Sequence, residues 1–203
     1  MAQGDREYEK LLALKMPDKL DFSGAPPGSS PAKVAAAKKK TDESAKRFGD
    51  YLKAKMTAID TAQKIYQGVI LYKQAHWAIA ASARIGQLFQ DFSNQLFTAP
   101  VPKAPAAPSG YPQDEFEQFF HDSYCDALVD KAEPLEGKAI EGLGTCLTKS
   151  TELSWFNEWS QLCESELNQI KPGDFPLAAE IRAEPGYSSV VSDRADAKTE
   201  IAE

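Results

Sequence analysis

Two stretches of this chain carry small residues at helical spacing, Trp77-Ala-Ile-Ala-Ala-Ser-Ala-Arg-Ile-Gly-Gln-Leu-Phe89 and Lys138-Ala-Ile-Glu-Gly-Leu-Gly-Thr-Cys-Leu147. Small side chains three or four residues apart let a second backbone approach closely, so both stretches read as inner seams of antiparallel helix pairs. No run of alternating polar and β-branched residues is long enough to make a sheet. The expected fold class is therefore all-α, and a helical scaffold of this kind is expected to bind a partner.

The 203 residues, 42% of them hydrophobic, are enough for a core of one domain with tails. A net charge of -7 argues against a general nucleic-acid binder, whose affinity would rest on cations meeting phosphates. The charge is uneven, with Lys33, Lys38, Lys39, Lys40, Lys46, Arg47, Lys53 and Lys55 crowding an early segment and Asp193, Asp196, Glu200 and Glu203 near the end. A solvated helix face is the plain reading of the lysines, and a docking surface for something acidic is the alternative. No stretch approaches the roughly 18 to 20 apolar residues needed to cross a bilayer. The polar start, Met1 to Lys10, lacks the basic-then-apolar order of a secretion signal. As written the chain is expected to be cytoplasmic, or periplasmic or envelope-associated if it is a piece of a longer exported protein.

Glu7 to Leu14 suits a short helix, interrupted by Pro17 and by the Gly, Pro and Ser of Gly24 to Pro31. The segment 1–30 is thus a flexible strap with a short helix. Ser30 and Pro31 suit the N-cap and first turn of a long helix, or of two nearly collinear ones, reaching about Leu71. Its buried stripe is Leu52, Met56, Ile59, Ala62, Tyr66 and Val69. A helix from about Lys73 to Leu96 follows and completes the hairpin of 31–98. Residues 99–112, dominated by Pro, Ala, Gly and Ser, read as a linker. Three helices are expected over 113–171. The first buries Phe116, Phe119, Phe120, Ser123 and Ala127, and the second restarts antiparallel at Pro134. The third runs from Thr151 to Ile170 and buries Trp155, Phe156, Trp159, Leu162, Cys163 and Leu167. Beyond Pro172-Gly173 the tail, 172–203, is expected to be extended or disordered, with Phe175, Leu177 and Ile181 as anchors.

Chemistry-bearing motifs are few. Gly142-Leu-Gly144 continues a helix and does not follow a strand, so it is no phosphate loop. His76 and His121 lie on separate helices, no Glu-x-x-His pair of a bundle metal enzyme occurs, and no cofactor or metal is expected. Cys125, Cys146 and Cys163 are expected to be small buried thiols, with a Cys125 to Cys146 bridge as the sharper alternative. Trp77, Arg84, Gln87 and Asp91 share one stripe and form the candidate partner-binding face, where an arginine and an amide could hold a peptide backbone or carboxylate. Trp155 and Trp159, four apart, are an aromatic anchor or core pair, and Asn157 and Glu158 between them suit a capping or bridging role.

Ile85-Gly86 followed by Phe89, and Ala139, Leu143 and Cys146, resemble the two helices of a tetratricopeptide repeat. A broader set resembles the C-terminal helical part of large repeat proteins of myxobacteria and related deltaproteobacteria. It comprises Leu14-Lys15-Met16-Pro17, Leu20-Asp21-Phe22, the Trp77 to Phe89 block, Pro134 to Ala139, Phe156 to Trp159, Ile170-Lys171-Pro172 and Phe175-Pro176. That resemblance implies antiparallel helical hairpins of α-solenoid type with flexible N- and C-terminal straps, in a cell-envelope assembly of motility or transport type. The expected function is a non-enzymatic protein–protein interaction scaffold with a protein or peptide partner. Its rivals are a structural terminal cap of a longer solenoid and a helix-bundle metal enzyme.

Overall fold

The computed structural model describes residues 1–177 and contains five helices: α1 (Ala2–Ala13), α2 (Pro31–Ile70), α3 (Ala75–Phe97), α4 (Gln113–Glu152) and α5 (Glu158–Ile170). Among the described residues the only β pairing is an isolated parallel bridge between Asp21 and Lys103, so the described chain is all-α. It divides into two compact units, Met1–Cys163 and Glu164–Glu203. In the second unit the end of α5 turns into a short segment held by Lys171 N–H donating to the Leu167 carbonyl (2.9 Å) and Asn168 Nδ2 donating to that of Phe175 (3.0 Å). The expected anchor Ile181, and the expected disorder of the tail from 178 on, lie outside the described residues.

In the first unit α3 is the central element and packs against α4, α2 and α1. Its alanine-rich sequence explains the position, because short side chains leave room for neighbours on nearly every side. Ile79, Ala80, Ala81, Ala83 and Leu88 are fully buried. The two small-residue seams meet each other. A Cβ on Gly142 would lie 2.7 Å from the backbone N of Gly86, and one on Gly86 would lie 2.6 Å from Cγ of Leu143. Two helix backbones therefore touch at this crossing. Lys138 Nζ sits 5.3 Å from the Phe89 ring centre, so α4 descends as α3 rises. On the other side of α3, Tyr51 pairs with Gln95 and Lys55 with Asp91, which makes α2 antiparallel to α3 as well. α1 runs antiparallel to α2, with Gly4 packed on the Tyr66 ring and Leu11 fully buried beside Lys55.

Three local expectations change. α4 runs unbroken from 113 to 152 through Pro134, and no antiparallel turn forms there. A proline inside a helix removes one backbone hydrogen bond and crowds the preceding turn, at about 3 kcal/mol. Pro134 faces solvent, so the carbonyl deprived of its donor is hydrated, while Ala132, Leu135, Ala139 and Leu143 bury the opposite side and carry the helix across. The last helix starts at Glu158, not Thr151, because Ser154 adopts a left-handed backbone (φ 49°) that ends α4. Trp155 and Phe156 fall in that turn and are 50% and 71% exposed, not core. Phe119 is likewise 63% exposed, and Ser123 and Ala127 face solvent, because the first half of α4 extends past the end of α3.

The close crossing gives glycines in one helix opposite effects. Gly142→Ala should lower unfolding free energy by about 1–3 kcal/mol through overpacking. Gly137→Ala, with nothing within 4 Å of the added methyl, should raise it by about 0.5–1 kcal/mol. Denaturant titration of both variants checks the sign.

Candidate functional site

Arg84, Gln87 and Asp91 of the candidate face are each engaged inside the fold, which corrects the picture of a free polar stripe. The Arg84 guanidinium lies between two rings, 5.0 Å from the centre of Tyr8 in α1 and 4.9 Å from that of Trp159 in α5. Its Nη1 donates to Gln87 Oε1 (2.8 Å), and its Nε stands 3.3 Å from Asp5 Oδ1 as an ion pair off the hydrogen-bonding direction. Arg84 thus joins α1, α3 and the start of α5. Tyr66 adds to the same cluster by donating its hydroxyl to Asp5 Oδ1 (2.8 Å). Burial, reinforced by Asp5, pushes the Tyr66 phenol well above its ordinary value.

Asp91 belongs to a second polar chain. Lys55 Nζ is fully buried and donates to Asp91 Oδ2 (2.6 Å) and to the Leu11 carbonyl (2.9 Å). Gln95 Nε2 also donates to Asp91 (2.9 Å), and Tyr51 donates to Gln95 Oε1 (2.8 Å). Burial pushes the Lys55 ammonium below the usual lysine value, and the hydrogen bond and charge of Asp91 offset part of that. Sequence reading placed Lys55 among the solvated lysines. The available signal was its spacing, four residues from both Tyr51 and Ile59 in the buried stripe, where a lysine needs a partner.

Trp77 alone of the four remains at the surface, 47% exposed, with its ring edge-on to His76 at 4.7 Å. Trp155 and Trp159 do not share a helix face, since only Trp159 is helical and its ring covers Arg84. Asn157 caps α5 as its sequence position suggests, with Oδ1 accepting from the N–H groups of Trp159 (3.0 Å) and Ser160 (3.2 Å). The disulfide joins Cys146 to Cys163, while Cys125 is a free, half-buried thiol. Cys146 lies on the α3-facing side of α4, where the start of α5 reaches it, so the expectation of three small buried thiols and the alternative of a Cys125 to Cys146 bridge are both corrected.

An open concave feature lies on the opposite face of α3. A half-open cavity of about 260 Å³ is floored by Ser82, Ile85 and Phe89, walled by Gln63, Gln67 and Ile70 of α2, and by Lys138, Glu141, Gly142 and Thr145 of α4. Its floor is mostly apolar, the Ser82 hydroxyl being spent on the Ala78 carbonyl, and its rims offer amides, a hydroxyl and one charge of each sign, a composition suited to orienting a polypeptide. A smaller hollow of about 190 Å³ between residues 16–20 and 100–103 contains Tyr124, whose hydroxyl is buried without a partner and whose phenol is pushed up by burial. Among the described residues no three His, Cys, Asp or Glu side chains converge as a metal site would require, and no helix is long and apolar enough to cross a membrane.

Comparison with known proteins found no matching family model, no matching curated protein and no matching solved structure.

Two substitutions separate the roles of the polar clusters. Asp91→Ala leaves a buried ammonium facing only a carbonyl and should cost about 3 kcal/mol. Lys55→Met removes the ammonium with its burial cost, leaves Leu14 N–H on the Leu11 carbonyl and leaves the part-exposed Asp91 carboxylate to Gln95 and solvent, so it should cost less than Asp91→Ala, about 1–2 kcal/mol. Equilibrium unfolding of the pair gives the ranking. Arg84→Ala should lower stability by about 2 kcal/mol and shift tryptophan emission to the red as Trp159 loses its cover, which fluorescence during the same titration records.

Proposed function

We propose that this chain is a non-enzymatic protein–protein interaction scaffold of tetratricopeptide-like type, which captures a partner helix or peptide in the groove over Ser82, Ile85 and Phe89. The observation that carries the reading is the unequal treatment of the two troughs beside α3. One is filled by the chain's own α1, an amphipathic helix seated through Leu11 and Gly4 and fixed by Asp5. The other is bordered by the same central helix and stands open, with Ser82, Ile85 and Phe89 at its base and Ile70 in its wall. A trough that accepts α1 by apolar burial and a few directed bonds defines the kind of occupant the open one suits. Gln63 and Gln67 would meet peptide groups, and Lys138 and Glu141 would select polar or charged side chains at the rim.

The resemblance to the ends of large envelope-associated repeat proteins supports a place in such an assembly. The buried Cys146–Cys163 bridge supports an oxidising compartment, since such bonds persist there and are rare in reducing ones. The test is a photo-crosslinking residue at Thr145 or Gln63 in the native cell, with the exposed position Lys53 on another face of α2 as control. A discrete crosslinked protein at Thr145 and Gln63 but not at Lys53, lost on Ile85→Glu in chain that still folds, is the expected outcome. Equal labelling at all three positions would favour the rival terminal cap, which needs no groove.

A further inference from the structure

The hollow of about 190 Å³ lies where two irregular connections of the first unit meet, the one between α1 and α2 and the one between α3 and α4. They are joined by the Asp21–Lys103 bridge. The first is also fixed to α2, with Asp21 N–H donating to Ser44 Oγ (2.9 Å) and Arg47 Nη2 donating to the Asp18 carbonyl (3.0 Å). The hollow shares no residue with the groove over Ser82, Ile85 and Phe89.

Its polar side chains can all donate, and no carboxylate or amide is among them. The Tyr124 hydroxyl is buried without a partner, which costs free energy until something accepts its hydrogen. Burial also holds the phenol above its ordinary range, so the proton stays available for donation. The facing wall is built from irregular segments, where side-chain rotation is enough to admit an acceptor. Lys19 and Lys103 contribute to the lining, and among the described residues neither belongs to an ion pair. Lys103 is partly offset by Asp21, on whose carboxylate it acts together with Lys40 and the Ser23 hydrogen bonds. Lys19 has no such offset, because Asp18 beside it faces Arg47 at 3.8 Å. A single negative charge on the occupant suits that balance.

The rest of the lining is apolar. Pro17, Pro100 and Pro102 have no N–H, so this wall lacks the run of backbone donors that cradles a phosphate. A cavity of about 150 Å³ admits a benzene-sized molecule, so the hollow suits an anion of roughly seven non-hydrogen atoms. We propose that it is a binding site for a small monocarboxylate, whose carboxylate accepts from the Tyr124 hydroxyl and Lys19 while its apolar tail packs on Leu20 and Val101. Such an occupant touches both connections at once and therefore binds the folded chain only. The site is independent of any partner in the groove.

The experiment is an amide-resolved NMR titration of the full chain with sodium pentanoate, alongside 1-pentanol and inorganic phosphate. Pentanoate at roughly millimolar concentration should give saturable shifts at Lys19, Leu20, Val101 and Lys103, and cross-peaks from its methyl group to those of Leu20 and Val101. Pentanol and phosphate should bind at least about tenfold more weakly. Tyr124→Phe should weaken pentanoate about tenfold while the free variant unfolds no earlier than wild type, since the hydroxyl it lacks had no partner. Lys19→Met should erase the preference for pentanoate over pentanol. Should a variant misfold, the cross-peaks in wild type carry the decision. Four results would overturn the proposal: no saturable shifts or cross-peaks, pentanol binding as tightly as pentanoate, phosphate displacing pentanoate at equal concentration, or a Tyr124→Phe chain that binds like wild type or unfolds earlier without ligand.

Discussion

The contact between Gly86 and Gly142 is the constraint on which the remaining arrangement depends. With no side chain on either residue, the α3 and α4 backbones meet directly, and Leu143 closes over Gly86. Shifting α4 by one residue would drive the Leu143 side chain into the α3 backbone, so the crossing specifies register as well as distance. That register puts Lys138 over Phe89 and Thr145 beside Ser82, the far wall of the open groove. It also brings Cys146 to the height at which Cys163 arrives. A seam of leucines would hold the same helices apart and leave the groove with a different floor.

Polar pins then fix elements too short to hold themselves. An isolated helix of a dozen residues is marginal in water, and α1 has only twelve. Its apolar attachment through Leu11 is supplemented by Asp5, which meets both Arg84 and Tyr66, and by the Leu11 carbonyl, which accepts from Lys55. Burying charges costs more than burying hydrocarbon unless each has partners. Both clusters meet that condition, the first by enclosing a delocalised guanidinium between rings and the second by placing a carboxylate and a carbonyl around one ammonium. The consequence is directional: α1 can occupy its trough in one orientation and at one height.

The seams at Trp77–Phe89 and Lys138–Leu147 were legible because small residues at helical spacing have one economical use, close packing. The all-α class followed from the same pattern. The stripe Trp77, Arg84, Gln87 and Asp91 was legible as a face but not as an interior one, since α1 and Trp159 come from distant parts of the chain and periodicity within α3 carries no record of them. Pro134 misled for a different reason. Propensity describes the local cost of proline, whereas burial of Ala132, Leu135 and Ala139 on the reverse side decides whether the helix continues. Trp155 and Trp159 keep a perfect spacing of four, yet a single left-handed residue at Ser154 removes one of them from the helix.

Covalent closure and capping take the place of extensive burial where α5 begins. Thirteen residues give little intrinsic helical stability. Asn157 satisfies two otherwise free N–H groups of the first turn, and Ser160 Oγ donates to the Asn157 carbonyl (2.8 Å). Cys163 is tied to the turn of α4 that carries Cys146. These bonds hold the α5 start while Leu153, Trp155 and Phe156 remain outside the core, so the preceding turn does not need its own large side chains to stay in place. A turn whose apolar residues are unnecessary for its own folding can leave them outside, and this separation of anchoring from exposure is what the bridge and the cap together provide.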